Sequence, residues 1–338
     1  MDFASDNAAG VHPAVLDAIL AAAPAVAGAY DSDAWTARLD AAFSELFATP
    51  VRVFAVPSGT AANGLSLAAA VPPWGGVLAH AEAHVEVDEA GAVPFFTHGA
   101  SHILVPGAHG KLTAQSLAAT MATRRGDVHQ VQPAAITLTN ATEAGTVYTP
   151  EEVAAIGAFA KARGLALHVD GARFANAVAR LDCHPGDLTW RAGVDLLSFG
   201  FIKNGGMTSE AIVVFREDLA ATLPVRRKRA GMMPSKGRFA AAQLLALIAE
   251  GRWLANAARA NAGADRIAAA APARLLHPVE ANEVFLRLTA GERNALRAAG
   301  FHFYDWELAG PEAARFVVRW DQADAAIEQL ADALRALP

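Results

Sequence analysis

Cysteine is nearly absent from this chain. Cys183 is the only one in 338 residues, which excludes an internal disulfide and any all-cysteine metal site. Long apolar runs are missing as well: the best candidate, Val11 to Tyr30, is broken by His12, Pro13, Asp17 and Pro24. Nothing therefore approaches the roughly eighteen uninterrupted apolar residues of a membrane span. The chain opens with no basic segment ahead of an apolar one, so secretion is not expected and a cytoplasmic setting is. Basic residues are in the minority. Against 34 Asp+Glu stand 28 Lys+Arg, a formal net charge of −6 that speaks against general nucleic-acid binding. Internal repeats and low-complexity linkers are lacking too. Apolar residues, by contrast, make up 53 % of the chain and charged ones 18 %, far from the composition of a disordered protein. The length suffices for one large domain, or a large and a small one, around a sizeable core.

Short apolar runs alternate with Ala/Leu-rich stretches. Strands are expected at Val51–Val56, Val77–His80, His102–Val105, Ala134–Thr139, Leu165–Asp170, Asp195–Phe199 and Ala211–Phe215. Several are apolar almost throughout, as strands buried on both faces should be. Helical patterns lie between them at Thr60–Ala70, Thr113–Ala122 and Pro150–Arg163. The last has Thr149 as N-cap, Pro150 at the first helical position and two acidic residues in the first turn. This alternation predicts an α/β fold with a mainly parallel sheet. After Phe215 the character changes. One long helix is expected over Lys236–Ala271, then strands near Ala273–His277, Glu283–Leu288, Phe301–Tyr304 and Arg315–Trp320, with helices at Ala290–Ala299 and Gln322–Leu337. The division implied is an N-terminal arm (1–30), a large domain (31–235), and a bridging helix with a small α/β domain (236–338).

Polar signals cluster where these strands end, and in open α/β sheets ligands sit beyond the carboxyl ends of the strands. Ser58-Gly59-Thr60 follows the strand Val51–Val56 and opens a helix, offering free N–H groups and a positive dipole end to a phosphate. An ordinary serine cap reads the same way. The strand Leu165–Asp170 ends in a carboxylate followed by Gly171, Ala172 and Arg173. Such a carboxylate needs a partner, either a protonated ring nitrogen or Arg173 itself. Lys203 follows an apolar strand and precedes Gly205 and Gly206, glycines that allow close backbone approach to a ligand. Desolvation there would lower its pKa and free the amine for a Schiff base; the alternative is a lysine reaching past the strand end to solvent. His80 and His84 have the spacing of a zinc helix, but no third ligand is evident and His80 ends a strand. No metal site is expected, and stacking on a flat cofactor is the better use of His84. A phosphate cradle, a strand-end carboxylate and a lysine, in that order, are what pyridoxal 5′-phosphate requires.

These segments resemble the threonine aldolase family of fold type I pyridoxal-phosphate enzymes over nearly the whole chain. The resemblance rests on Ser5-Asp6-Asn7, Ser58-Gly59-Thr60 with Asn63, and His84 in the segment ending Asp88-Glu89. It continues through His168 to Arg173, Ser198 to Gly205, and Arg315-Phe316-Val317. The Asp-Gly-Ala-Arg and lysine segments are the most specific. The resemblance implies an aspartate aminotransferase-like large domain with a smaller C-terminal domain. It also implies retro-aldol cleavage of a threonine-, allo-threonine- or phenylserine-like substrate of L configuration to glycine and an aldehyde. Lys203 would carry the cofactor, Asp170 would face its ring nitrogen, His84 would stack on it, and Ser58, Gly59 and Thr60 would hold the phosphate. Arg173, Arg315 and Ser5 would grip the substrate carboxylate, and His84 or His129 would take the β-hydroxyl proton. A homodimer or homotetramer with sites at the subunit interface is implied, Tyr30 reaching from one copy into another. One departure stands out: Ile202 precedes the lysine where many relatives place Ser or Thr. The competing readings are another lyase or an aminotransferase on the same cofactor, and a protein that binds it without turnover. Nucleic-acid binding would rest only on Arg226-Arg227-Lys228-Arg229, a run that with Lys236 and Arg238 could instead face a cofactor phosphate.

Overall fold

Seven of the apolar runs form one sheet: β1 (Arg52–Val56), β2 (Gly75–His80), β3 (Ser101–Val105), β4 (Gln132–Thr139), β5 (Ala166–Gly171), β6 (Leu196–Phe199) and β7 (Glu210–Val214). The computed structural model describes residues 1–24 and 26–338, Glu307 by its backbone alone. The spatial order is β1-β7-β6-β5-β4-β2-β3. Strands β3, β2, β4, β5 and β6 are parallel, whereas β7 runs antiparallel to both β6 and β1. The sheet is thus mainly parallel, and the reversal of β7 brings its first residue, Glu210, to the edge where the parallel strands end.

The helices of the first half are α1 (Pro13–Ala22), α2 (Leu39–Phe47), α3 (Gly59–Ala70), α4 (His84–Val87), α5 (Ala92–Thr97), α6 (Ala114–Ala122) and α7 (Pro150–Lys161). Those of the second half are α8 (Phe174–Leu181), α9 (Leu223–Arg229), α10 (Arg238–Ile248), α11 (Arg252–Ala270), α12 (Ala290–Ala298) and α13 (Asp324–Arg335). Helix α7 starts as its sequence predicts, with Thr149 and Glu152 forming a capping box ahead of Pro150. No helix among the described residues is long and apolar enough to cross a membrane.

Central strands are apolar because both faces are covered. All six residues of β5 are buried. Its one aromatic polar side chain, His168, spans the sheet sideways between Thr137 Oγ1 on β4 and Ser198 Oγ on β6, at 2.9 Å each. Burial pushes its pKa down to about 4, so the ring is neutral and serves the sheet. Below the sheet, Phe43, Phe47, Phe174, Phe199, Phe201 and Trp253 form a fully buried aromatic cluster. Each such side chain contributes on the order of 1.5–3 kcal/mol relative to exposure.

A second core joins α11, α12 and α13 to an antiparallel sheet of order β8-β10-β9, made of β8 (Glu283–Arg287), β9 (Tyr304–Asp305) and β10 (Ala313–Val317). Phe3, fully buried, belongs to this core: its N–H donates to His302 O, and Val317 N–H donates to Phe3 O. The N-terminal segment is thereby stitched to the small domain, which fixes where Asp6 lies.

Three expectations about the second half fail, the first being the strand at Phe301–Tyr304, which is only an isolated bridge at His302 and the start of the two-residue β9. The stretch Lys236–Ala271 is not one helix, because Glu250 and Gly251 take left-handed φ values of 55° and 68° and break it into α10 and α11. Ala273–His277 is not a strand. It holds a 3-10 turn at Pro272–Arg274 and a single bridge between Leu275 and Leu286, since proline removes a ladder donor at its start.

Candidate active site

A cavity of about 300 Å³ opens where β4, β5, β6 and the reversed β7 meet. Adjacent registers place Thr139 beside Asp170, and Asp170 beside Ser198. The cavity wall includes Ser58, Gly59, Thr60, His84, Asp170, Arg173 and Lys203, all singled out from sequence. It also includes Asn7, Glu89, Thr139, Glu143, Ile202 and Glu210.

The phosphate-cradle candidate is the start of α3. Ser58 is extended (φ −158°) and caps the helix, its Oγ accepting from Ala61 N–H at 3.2 Å. The capping role is real, yet Gly59 and Thr60 remain on the cavity wall, and a Cβ built on Gly59 meets nothing within 4 Å. The first turn thus faces open space with backbone N–H groups unused by the helix, the arrangement an anion needs.

Asp170 is 3 % exposed and is not paired with Arg173. It accepts instead from Asn63 Nδ2 at 2.8 Å and Ala172 N–H at 3.0 Å. Asn63 Nδ2 also donates to Glu89 Oε1, which meets His84 Nδ1 at 2.9 Å. This relay holds Asp170 and His84 in place, and the Glu89 bond raises the histidine's pKa against the effect of burial. His84, Glu89 and Asp170 offer ligand atoms within 4.8 Å of one another, but Asn63 already knits them together. His80 turns elsewhere, Nε2 to Gly107 O at 3.0 Å, so the two histidines do not share a helix face.

Lys203 sits in a 3-10 turn, Ile202–Asn204, just beyond β6. Glu210 accepts from the N–H groups of Phe201 and Ile202, and Asn204 Nδ2 donates to Trp253 O at 2.7 Å. Burial first, then the Arg173 charge, lowers the Lys203 pKa, while Asp6, Glu283 and Asp170 oppose that shift. Gly205 needs its φ of 104° to close the turn, and a Cβ on Gly206 would press on Phe201 O at 2.9 Å. The two glycines therefore serve the turn itself.

Arg173 carries a bidentate pair with Asp6, Nε to Oδ2 at 2.8 Å and Nη2 to Oδ1 at 3.0 Å. Burial would raise the Asp6 pKa, but Arg173 and Lys203 outweigh it and hold that carboxyl far below the usual range. Arg315, on β10, lies behind this pair and stacks over Trp306 at 4.3 Å. Ser5 does not reach the wall; its Oγ caps the turn at Asp6–Ala8 by accepting from Asn7 N–H.

Several expected residues lie elsewhere. His129 is exposed in the turn before β4, at the opposite end of a strand roughly 25 Å long, so it is remote from this chain's own cavity. Tyr30 is 48 % exposed, with the Lys228 ammonium 3.7 Å above its ring. Arg227 is buried against Asp31 and Ala55 O, and Arg238 donates through Nε to Ala22 O.

Glu143, like Thr139 and Glu210, is a wall residue that the sequence patterns do not single out. Its Oε1 accepts from His84 N–H and Thr139 Oγ1 at 2.8 Å each, while Oε2 is buried without a partner. Burial, with Asp170 nearby, pushes its pKa up from 4.5 to about 7. Folding therefore favours its protonated form, and that advantage is present below about pH 4.5 and is lost as pH rises through 7. In the cofactor-free protein, Glu143→Gln should flatten the loss of stability between pH 5 and 8 and unfold at higher denaturant than wild type at pH 8.

The residues present fit pyridoxal 5′-phosphate: a free helix N-terminus, a buried strand-end carboxylate, a desolvated lysine and a half-exposed histidine border one cavity. Residues 2–290 match the family described as beta-eliminating lyase. The chain is 44 % identical to a low specificity L-threonine aldolase of Pseudomonas aeruginosa, over 98 % of this chain and 96 % of that protein. It is 42 % identical to one from a Pseudomonas species, over 99 % and 97 %. The solved structure of Leishmania major threonine aldolase superposes with a TM-score of 0.92 at 26 % identity, covering 99 % of this chain and 98 % of that one. An aspartate aminotransferase from Rhodobacter sphaeroides, at 18 % identity and a TM-score of 0.73, shares the fold. The chain belongs to the beta-eliminating lyase family and, within it, to the pyridoxal-phosphate-dependent threonine aldolases.

Proposed function

We propose that this chain cleaves β-hydroxy-α-amino acids of the L-threonine, L-allo-threonine or phenylserine type to glycine and an aldehyde, reversibly. The observation that carries this reading is the convergence of Lys203, Asp170, His84 and the start of α3 on one cavity beside Arg173. Pyridoxal 5′-phosphate, when bound, supplies the electron sink for charge left at Cα as the Cα–Cβ bond breaks.

The chain's own residues do the rest. Ser58, Gly59 and Thr60 would take the phosphate at the α3 N-terminus, and Asp170 would face the ring nitrogen. Lys203, its amine freed by desolvation, would hold the cofactor. Arg173 and Arg315 would grip the substrate carboxylate and so fix the orientation of the Cα–Cβ bond. Glu89 engages His84 at Nδ1 and leaves Nε2 to accept the β-hydroxyl proton. Ser5 acts on the substrate through the turn that presents Asp6 and Asn7.

We further propose a homodimer or homotetramer in which Tyr30 and His129 serve a neighbouring copy's site. Both are exposed and both lie off the wall of their own cavity. Scarce cysteine supports a reducing, cytoplasmic setting.

The test is a substrate panel. Reconstituted protein incubated with L-threonine, L-allo-threonine and phenylserine should release glycine and the matching aldehyde in equal amounts. An α-keto acid with no glycine would assign the site to elimination or transamination.

A further inference from the structure

The two arginines given to the substrate carboxylate are already balanced by carboxylates of the chain. Asp6 takes one edge of Arg173. The other guanidinium nitrogen, Nη1, lies 3.1 Å from Glu283 Oε2, and Glu283 Oε1 lies 3.7 Å from Arg315 Nη1. Glu283 is 1 % exposed, so its charge has no recourse to water. Its position follows from register: Glu283 opens β8 opposite Val317, and Arg315, two residues earlier on β10, projects from the same face.

The match is incomplete. Glu283 Oε2 and Arg315 Nε are both buried without a hydrogen-bond partner. Arg315 is otherwise held by Ala4 O at 3.2 Å and by the rings of Trp306 and Tyr304, none of which carries a charge. Glu283 thus spans two guanidiniums in the way an amino acid's carboxylate would, with poorer geometry than a free carboxylate could adopt. Asp6, with both oxygens on Arg173 and a further bond from Asn282 Nδ2 at 3.0 Å, is the structural member of the cluster.

We propose that Glu283 occupies the carboxylate seat of the site and is the residue an incoming amino acid must displace, so that it sets substrate affinity. This rests on the assignment of Arg173 and Arg315 to the substrate carboxylate. A third carboxylate entering beside Asp6 and Glu283 would meet like charge in a low-dielectric setting. The substrate therefore binds at the expense of the Glu283 contacts, and KM carries the cost more than kcat does.

The experiment uses the holoenzyme of wild type, Glu283→Gln and Glu283→Ala. Glu283→Gln keeps the shape and removes the charge. It should lower KM for the amino acid roughly tenfold and tighten glycine binding, read from the cofactor's absorbance, by a similar factor, with a smaller change in kcat. Glu283→Ala empties the seat, so acetate at constant ionic strength should raise its thermal midpoint and leave that of wild type unmoved. An unchanged or higher KM in Glu283→Gln, or an equal acetate response in the three proteins, would overturn the proposal. The acetate arm involves no turnover, so a failure of the aldolase assignment is distinguishable from a failure of the seat.

Discussion

Replacing Lys203 with alanine should leave the fold intact and reduce turnover of a β-hydroxy-α-amino acid by at least about 10³-fold. The turn that carries it does not depend on the amine. Glu210 holds the N–H groups of Phe201 and Ile202, Asn204 and Asn256 lock against each other and α11, and Gln243 Oε1 accepts from Met207 and Thr208. Burial disfavours the lysine's charge, so its removal costs the folded state nothing on that account. Equal unfolding midpoints with a collapsed rate would place Lys203 in the chemistry. A rate within tenfold of wild type would remove it.

Arg173→Met should act on both stability and binding. The substitution preserves apolar volume but leaves Asp6 and Glu283, at 2 % and 1 % exposure, without the guanidinium that neutralises them. Removing one partner of such a buried pair costs about 3–5 kcal/mol, because the remaining charges stay buried. Substrate binding should fail as well, since Arg173 is the one guanidinium on the cavity wall. Arg173→Lys keeps a charge but cannot reproduce the bidentate fork to Asp6. It should recover part of the stability and little of the substrate affinity. Urea midpoints and KM for the three proteins separate the two effects; a midpoint unchanged in Arg173→Met would contradict the ion-pair account.

What was legible in the sequence was local. The strand ending in Asp170, the serine-capped start of α3 and the lysine after β6 are short segments whose chemistry and secondary structure sit side by side in the chain. The parallel sheet does the remaining work by bringing their ends to one edge. What escaped was set by distant pairing. Arg173 and Asp6 are 167 residues apart, and only the stitching of Phe3 onto the small domain brings them together. Glu210 reaches the lysine turn because β7 is reversed, and a strand's direction is not written in its own pattern. Glu143 and Glu283 looked like ordinary loop and strand acids, and their burial beside charged partners is a tertiary fact. The broken helix at Glu250 and Gly251 was missed for the opposite reason: the alanine-rich flanks on both sides masked a two-residue interruption.

The most direct test of the central claim is to find where the cofactor attaches. The chain has five lysines, Lys111, Lys161, Lys203, Lys228 and Lys236, and only Lys203 borders the cavity. Protein reconstituted with pyridoxal 5′-phosphate should be reduced with borohydride, digested and mapped by mass spectrometry. The account predicts a pyridoxyl group on Lys203 at close to one per chain, lost together with the visible absorption band in Lys203→Ala. Labelling at Lys228 or Lys236 with Lys203 unmodified, or a band that survives in Lys203→Ala, would contradict it.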